Sequence, residues 1–224
     1  MEIQKHKTMR EITEIVVGYI GTMVMAYVVN AIYPLLQPIP VPVRAVLVFP
    51  VYWSMGIVPI LLMHLRKEKF SDCGFEGHHI RKQIAIGICM AICFSAALTL
   101  LPHLIGLSDM VSPGSHYTHV WQFAYEFAYC IFGVGLTEEF LFRGYFFEKI
   151  RKISSPMTAM LISSVMFGLL HIFVGDLLQV FGAALIGILF CLCKMKIKNC
   201  TTLSLAVGHG VYDALITVLE FVFR

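Results

Sequence analysis

Residues 177–194 read LLQVFGAALIGILFCLCK, a run that meets no Asp, Glu, Lys, Arg or His until its closing Lys194. A helix needs about twenty mostly apolar residues to cross a hydrocarbon layer, and this run is of that kind. Working outward, six further segments share the pattern, at about 12–33, 43–64, 84–107, 121–148, 156–174 and 201–223. Turn-forming residues separate them, among them Pro34, Pro38, Pro40 and Pro42 and the Ser154-Ser155-Pro156 step. The whole chain of 224 residues is 58% hydrophobic and 14% charged, with a mean hydropathy of +0.79. A soluble domain of that composition would leave apolar side chains on a water-facing surface. A soluble enzyme, a disordered tail and a nucleic-acid-binding module are thereby excluded. The expected fold is all-α: a polytopic integral membrane protein with about seven transmembrane helices in one bundle. A single transmembrane domain over 1–224 is expected, without an internal repeat.

The net charge of +3 is too mild to suggest a polyanionic partner, so the placement of the basic residues matters more than their sum. Fifteen of the 17 fall at the N-terminus or in the second, fourth and sixth connections; Arg44 and Arg224 stand on the other side. Basic residues are retained on the cytoplasmic side, which predicts a multi-pass cell-membrane protein with its N-terminus inside and its C-terminus outside. The first apolar run is too long for a signal-peptide core and is expected to stay as a span. The Asn199-Cys200-Thr201 sequon then falls inside and reads as chance. The seven cysteines (Cys73, Cys89, Cys93, Cys130, Cys191, Cys193, Cys200) contain no C-x-x-C pair and read as small apolar residues.

Ionisable groups within a span are costly, and several that can meet mark a functional site. Glu126 and Glu220 lie near helix ends and read as interfacial groups, while Glu138, Glu139, His171, His209 and Asp213 form a set. In Gly135-Leu136-Thr137-Glu138-Glu139-Phe140-Leu141-Phe142-Arg143 the two acids point about 100° apart on a helix. Glu139 and Arg143 stand at i and i+4, the favourable order for an ion pair. Glu138 has no partner on its own helix and must find one elsewhere or take a proton, as a catalytic carboxylate does.

Phe167-Gly168-Leu169-Leu170-His171 places Phe167 and His171 one turn apart on the fifth span. If the fourth and fifth spans form a hairpin about Ser154-Ser155, Glu138 and His171 lie at the same depth, roughly 25 Å of helix from the turn. His209 and Asp213 are one turn apart on the seventh span. His209 lies about 18 Å above the sixth connection, so helix tilt must absorb about 7 Å.

These three motifs, Glu138-Glu139-x-x-x-Arg143, Phe167-x-x-x-His171 and His209-x-x-x-Asp213, resemble in type and order those of the intramembrane proteases of the CAAX-processing and bacteriocin-processing group, the CPBP or Abi family. The motif-bearing protease core spans about 121–223, and the first three spans carry no motif that matches. The resemblance implies an intramembrane peptidase that cleaves a membrane-associated peptide or lipidated protein: removal of three residues after a prenylated cysteine in eukaryotic members, processing of or immunity to secreted peptides in bacterial ones. Glu138 is then the general base, with His171 helping to hold the water. His209 and Asp213 stabilise the oxyanion or position substrate, Asp213 fixing the imidazole tautomer if ionised. Glu139, Arg143 and Phe167 have supporting roles. Some family members have Asn at the position of Asp213.

No metal is assigned. If zinc is present, its ligands are Glu138, His171 and His209, but no His-Glu-x-x-His is present and a ligating Glu could not also be the free base. The expected partners are the peptide or lipidated substrate and membrane lipids, with no nucleic acid. Two alternatives stand: a membrane transporter or proton relay, because buried Glu and His also line ion paths, and a non-catalytic peptide-immunity protein. An aspartyl intramembrane protease is set aside because Tyr212-Asp213 and Gly175-Asp176 come in reversed order, and a rhomboid because no Gly-x-Ser-x-Gly nucleophile is present.

Overall fold

Proline and left-handed residues set the helix ends. In the computed structural model, which describes residues 2–108, 111, 114, 117, 119–173, 175 and 177–223, α1 (Glu2–Leu36) carries Pro34 in its last turn. Pro40 precedes α2 (Val41–Trp53) with φ −51° and ψ 136°, and Pro42 lies in the first turn, where a missing N–H costs nothing. A 3-10 turn, Ser54–Gly56, joins α2 to α3 (Ile57–Arg66), making one rod Val41–Arg66 that Lys67 closes at φ 57°. After a loop come α4 (Ile80–Ser95), a π segment Ala96–Leu100 and α5 (Leu101–Leu104).

The central helix is unbroken from 120 to 153: α6 (Val120–Ala128), π segment Tyr129–Gly135, α7 (Leu136–Glu139), π segment Phe140–Phe146 and α8 (Phe147–Ile153). Ser155 then caps α9 (Pro156–Leu170), its Oγ accepting from the Thr158 N–H at 3.1 Å, with Pro156 at the first position. This is the turn at Ser154-Ser155 that the hairpin reading requires. α10 (Leu177–Lys196) and α11 (Thr202–Phe223) complete the chain. Asp109, Asp176 and Arg224 lie outside the described residues.

Six helices among the described residues are long and apolar enough to cross a membrane: Thr8–Leu36, Val41–Arg66, Ile80–Leu104, Pro156–Phe173, Leu177–Lys196 and Thr202–Phe223. The protein is an all-α, multi-pass membrane protein. The central helix, expected as the fourth of seven spans, is not among those six because it carries Glu126, Glu138, Glu139 and Arg143. Every residue from 137 to 150 is buried, so protein rather than lipid surrounds it. Arg143 is among them at 0% exposure, so it belongs to the interior and not with the basic residues of the fourth connection. The other helices turn Val46, Leu65, Leu177 and Phe181 outward, a surface that water penalises and lipid accepts.

Small residues let α11 close on the centre. A Cβ on Gly210 would lie 2.4 Å from the Cys130 carbonyl oxygen, and one on Gly135 would lie 2.4 Å from that of Ala206. Backbone therefore touches backbone there, as small residues permit between membrane helices. That approach brings His209 to the depth of Glu138 and removes the mismatch reckoned from loop lengths.

The thiols are all free. Cys73, Cys130, Cys191 and Cys200 are buried as expected; Cys89 and Cys93 face outward from α4. Burial pushes the Cys73 and Cys200 thiols, both in connections, up to about 12, so neither is a ready nucleophile.

Candidate active site

The two acids sit in the single α-helical turn of α7, between two π segments. Each π turn adds a residue to the helical ladder, and such insertions recur at functional sites. The neighbouring acids part company, as their angular offset requires.

Glu139, fully buried, uses one oxygen twice: Oε1 accepts from Arg143 Nη1 at 2.9 Å and from His209 Nδ1 at 2.8 Å. An ionised carboxylate beside a guanidinium can only accept, so Nδ1 donates. Nε2 of His209 then faces Asp213 Oδ2 at 3.4 Å and Glu138 Oε2 at 3.7 Å. The acid that fixes the imidazole tautomer is therefore Glu139 from the central helix. Asp213, one turn along α11 with its side chain 29% exposed, approaches the other nitrogen.

Glu138 is 3% exposed. Its Oε1 accepts a hydrogen bond from the hydroxyl of Tyr52 on α2, and its Oε2 is buried without a hydrogen-bond partner. Glu139 Oε2 and Arg143 Nε and Nη2 are likewise unpaired. Buried polar atoms without partners cost folding free energy and call for a reason.

His171 closes α9, its Nδ1 donating to the Phe167 carbonyl at 3.1 Å, which leaves Nε2 as the ring nitrogen free of that bond. Phe167 is the wedge between the parts. Its ring stands edge-on to His171 (centroids 5.0 Å apart) and to His209 (5.9 Å), with the Arg143 guanidinium 4.2 Å from its centroid. Phe190 of α10 lies 5.4 Å from the His209 ring, tilted 35° to it. Glu138, His171, Tyr52, Tyr129, Asn30 and Met55 are among the residues lining a cavity of about 330 Å³ bounded by α1, α2, the central helix and α9.

All seven residues singled out from the sequence thus gather here. Glu138, Glu139, Arg143, Phe167, His209 and Asp213 form a continuous chain of contacts, and His171 joins it through Phe167 and the cavity wall. Tyr52 and Phe190 were not singled out. A tyrosine or phenylalanine in an apolar span carries no pattern that marks it. The alternative zinc set of Glu138, His171 and His209 does not close into a site: among the described residues no group of three or more His, Cys, Asp or Glu is arranged to hold a metal ion.

Comparison with known proteins adds one match. The Rce1-like family, described as type II CAAX prenyl endopeptidase Rce1-like, matches residues 119–215. That match takes in 97 of the 224 residues and covers the motif-bearing part of the chain. No curated protein and no solved structure matches the chain. The Rce1-like region holds every motif residue from Glu138 to Asp213, and it stops short of the α1 and α2 residues that complete the cavity.

Proposed function

We propose that the protein is an intramembrane endopeptidase that hydrolyses a peptide bond in a membrane-associated peptide or lipidated protein, using water activated by Glu138 and His171. One observation carries this reading: a buried carboxylate oxygen, Glu138 Oε2, has no hydrogen-bond partner, and its residue shares a cavity wall with a histidine. The Rce1-like description supports it from outside the geometry, and supports a prenylated C-terminal peptide as substrate.

Water held between Glu138 and His171 gives a proton to Glu138 Oε2 as its oxygen bonds to the scissile carbonyl carbon. The carbonyl oxygen becomes an oxyanion. His209, whose Nδ1 proton goes to Glu139, can carry a second proton on Nε2 beside Asp213 and donate it as a hydrogen bond to that oxyanion. When the C–N bond breaks, Glu138 returns the proton to the leaving amine. Arg143 holds Glu139 in place, and Phe167 keeps both imidazoles apart and oriented. Hydrolysis on this route runs without a metal ion and survives chelation. The chain acts as one transmembrane unit, with the N-terminus cytoplasmic and the C-terminus outside, supported by the bias of the basic residues.

The test uses purified protein in liposomes with a farnesylated peptide ending in a CAAX sequence and its unlipidated counterpart, with products read by mass spectrometry. Wild type cleaves the lipidated peptide with or without chelator; Glu138→Gln and His171→Ala do not. Equal cleavage by all three removes the assignment, and loss of cleavage on chelation removes its metal-free form.

A further inference from the structure

The matched region begins at residue 119, well after α2, yet α2 places a hydroxyl directly on the carboxylate at the centre of the site. Tyr52 is held for that contact. Its ring stands edge-on to Tyr129 at 6.1 Å. Tyr129 is itself fixed by Phe49 (5.7 Å, edge-on) and by Tyr125 (6.2 Å, stacked within 8°). An aromatic ladder from α2 to the first π segment of the central helix therefore sets where the phenol points, and both Tyr52 and Tyr129 line the cavity.

A glutamate carboxylate turns easily about its last bond, so its two oxygens can exchange places. The Tyr52 hydroxyl has one proton to give, and it goes to Oε1. Oε1 is thereby taken, and Oε2 is left both unpaired and nearest to His209 Nε2. The same donation serves before and after Glu138 gains a proton, because Oε1 remains an acceptor in the acid form.

We propose that Tyr52 is a positioning residue for the peptidase reaction: by donating to Glu138 Oε1 it selects Oε2 as the atom that takes the proton from water. This rests on the peptidase reading above, and extends the working site from the Rce1-like region into the first half of the chain.

The test compares wild type, Tyr52→Phe and Glu138→Gln on the farnesylated peptide. Tyr52→Phe keeps the ring and loses only the hydroxyl. A base displaced by a fraction of an ångström to an ångström loses about 10- to 100-fold in rate. The expected result is a kcat lowered by that factor, with KM within about twofold and an unchanged unfolding temperature. Wild-type kcat in Tyr52→Phe overturns the proposal, and so does a raised KM with kcat intact, which would make Tyr52 a substrate-binding group. A second reading needs no turnover. The carboxylate band that vanishes from the infrared difference spectrum in Glu138→Gln shifts in Tyr52→Phe if the hydroxyl donates to it, and an unshifted band overturns the contact. Should Glu138→Gln cleave as wild type does, the peptidase reading fails on its own, and with it the role given to Tyr52, while the infrared shift still reports whether the bond exists.

Discussion

Two clusters of buried charge sit on the central helix, one around Lys149 and one around Glu138 and Glu139, and they are built on different plans. Around Lys149 partners abound: its ammonium lies 2.9 Å from carboxylate oxygens of Glu14 and of Glu68 and 3.5 Å from Glu11, and Arg66 adds a second cation to Glu14. Beside it Lys194 donates to the Arg143 carbonyl at 2.6 Å and to Glu148 at 2.9 Å. Burial alone would lower the Lys149 pKa, but hydrogen bonds to Glu68 and Glu14 hold it above the ordinary lysine value. Around Glu138 and Glu139 the opposite holds, with Glu138 Oε2, Glu139 Oε2 and two Arg143 nitrogens left unpaired. Around Lys149 only Glu11 Oε2, 3.5 Å from the ammonium, lacks a hydrogen bond, so the first cluster is close to satisfied and the second is not.

The contrast breaks most sharply at Glu138. Glu138→Gln is expected to lower peptide cleavage by about 1000-fold or more while leaving stability unchanged or slightly raised, because it removes an under-paired buried charge. Cleavage assays together with thermal unfolding decide this, and a large loss of stability would put Glu138 in the structural class.

Lys149→Met is the converse. It leaves Glu11 without its cation and takes one of two or more cations from Glu14 and from Glu68, and is expected to cost about 3–5 kcal/mol of stability in denaturant titrations, with the activity of the molecules that remain folded little changed. Because the folded pKa of Lys149 is raised, its contribution is fully present below the unfolded value of 10.5 and is lost as pH rises through the higher folded one. Wild-type stability measured against pH should therefore fall in strongly alkaline solution, and that part of the fall should be missing in Lys149→Met.

Gly187 lies against the second cluster, since a Cβ there would stand 3.0 Å from Arg143 Nη2 and 3.1 Å from Ser164 Oγ. Gly187→Ala should cost about 1–3 kcal/mol by overpacking and reduce kcat about tenfold by moving the Glu139–His209 pair, measured by unfolding and by turnover. The smallest effect is expected for Asp213→Asn. Asp213 is partly exposed and 3.4 Å from Nε2, and Glu139 already fixes the tautomer, so kcat should fall less than about tenfold.

Local spacing was enough to read the helical segments, the turn at Ser154-Ser155, the Glu139–Arg143 pair and the Phe167–His171 stack, because each depends on residues within a turn or on a count from a loop. What spacing could not reach was tertiary. The resemblance implies that Asp213, if ionised, fixes the imidazole tautomer, whereas Nδ1 is held by Glu139 from another helix, 70 positions away. Tyr52 meets Glu138 across 86 positions, in a span whose other residues give no sign of chemistry. The apolar run at 121–148 was legible as a helix, but not its enclosure by the others.

That enclosure separates the chain into an interior that other side chains read and a jacket that the solvent reads. Outward residues such as Val46, Leu65 and Phe181 line no part of the cavity. They are the positions at which polar replacements could convert this protein into a water-soluble analogue with its reaction centre intact.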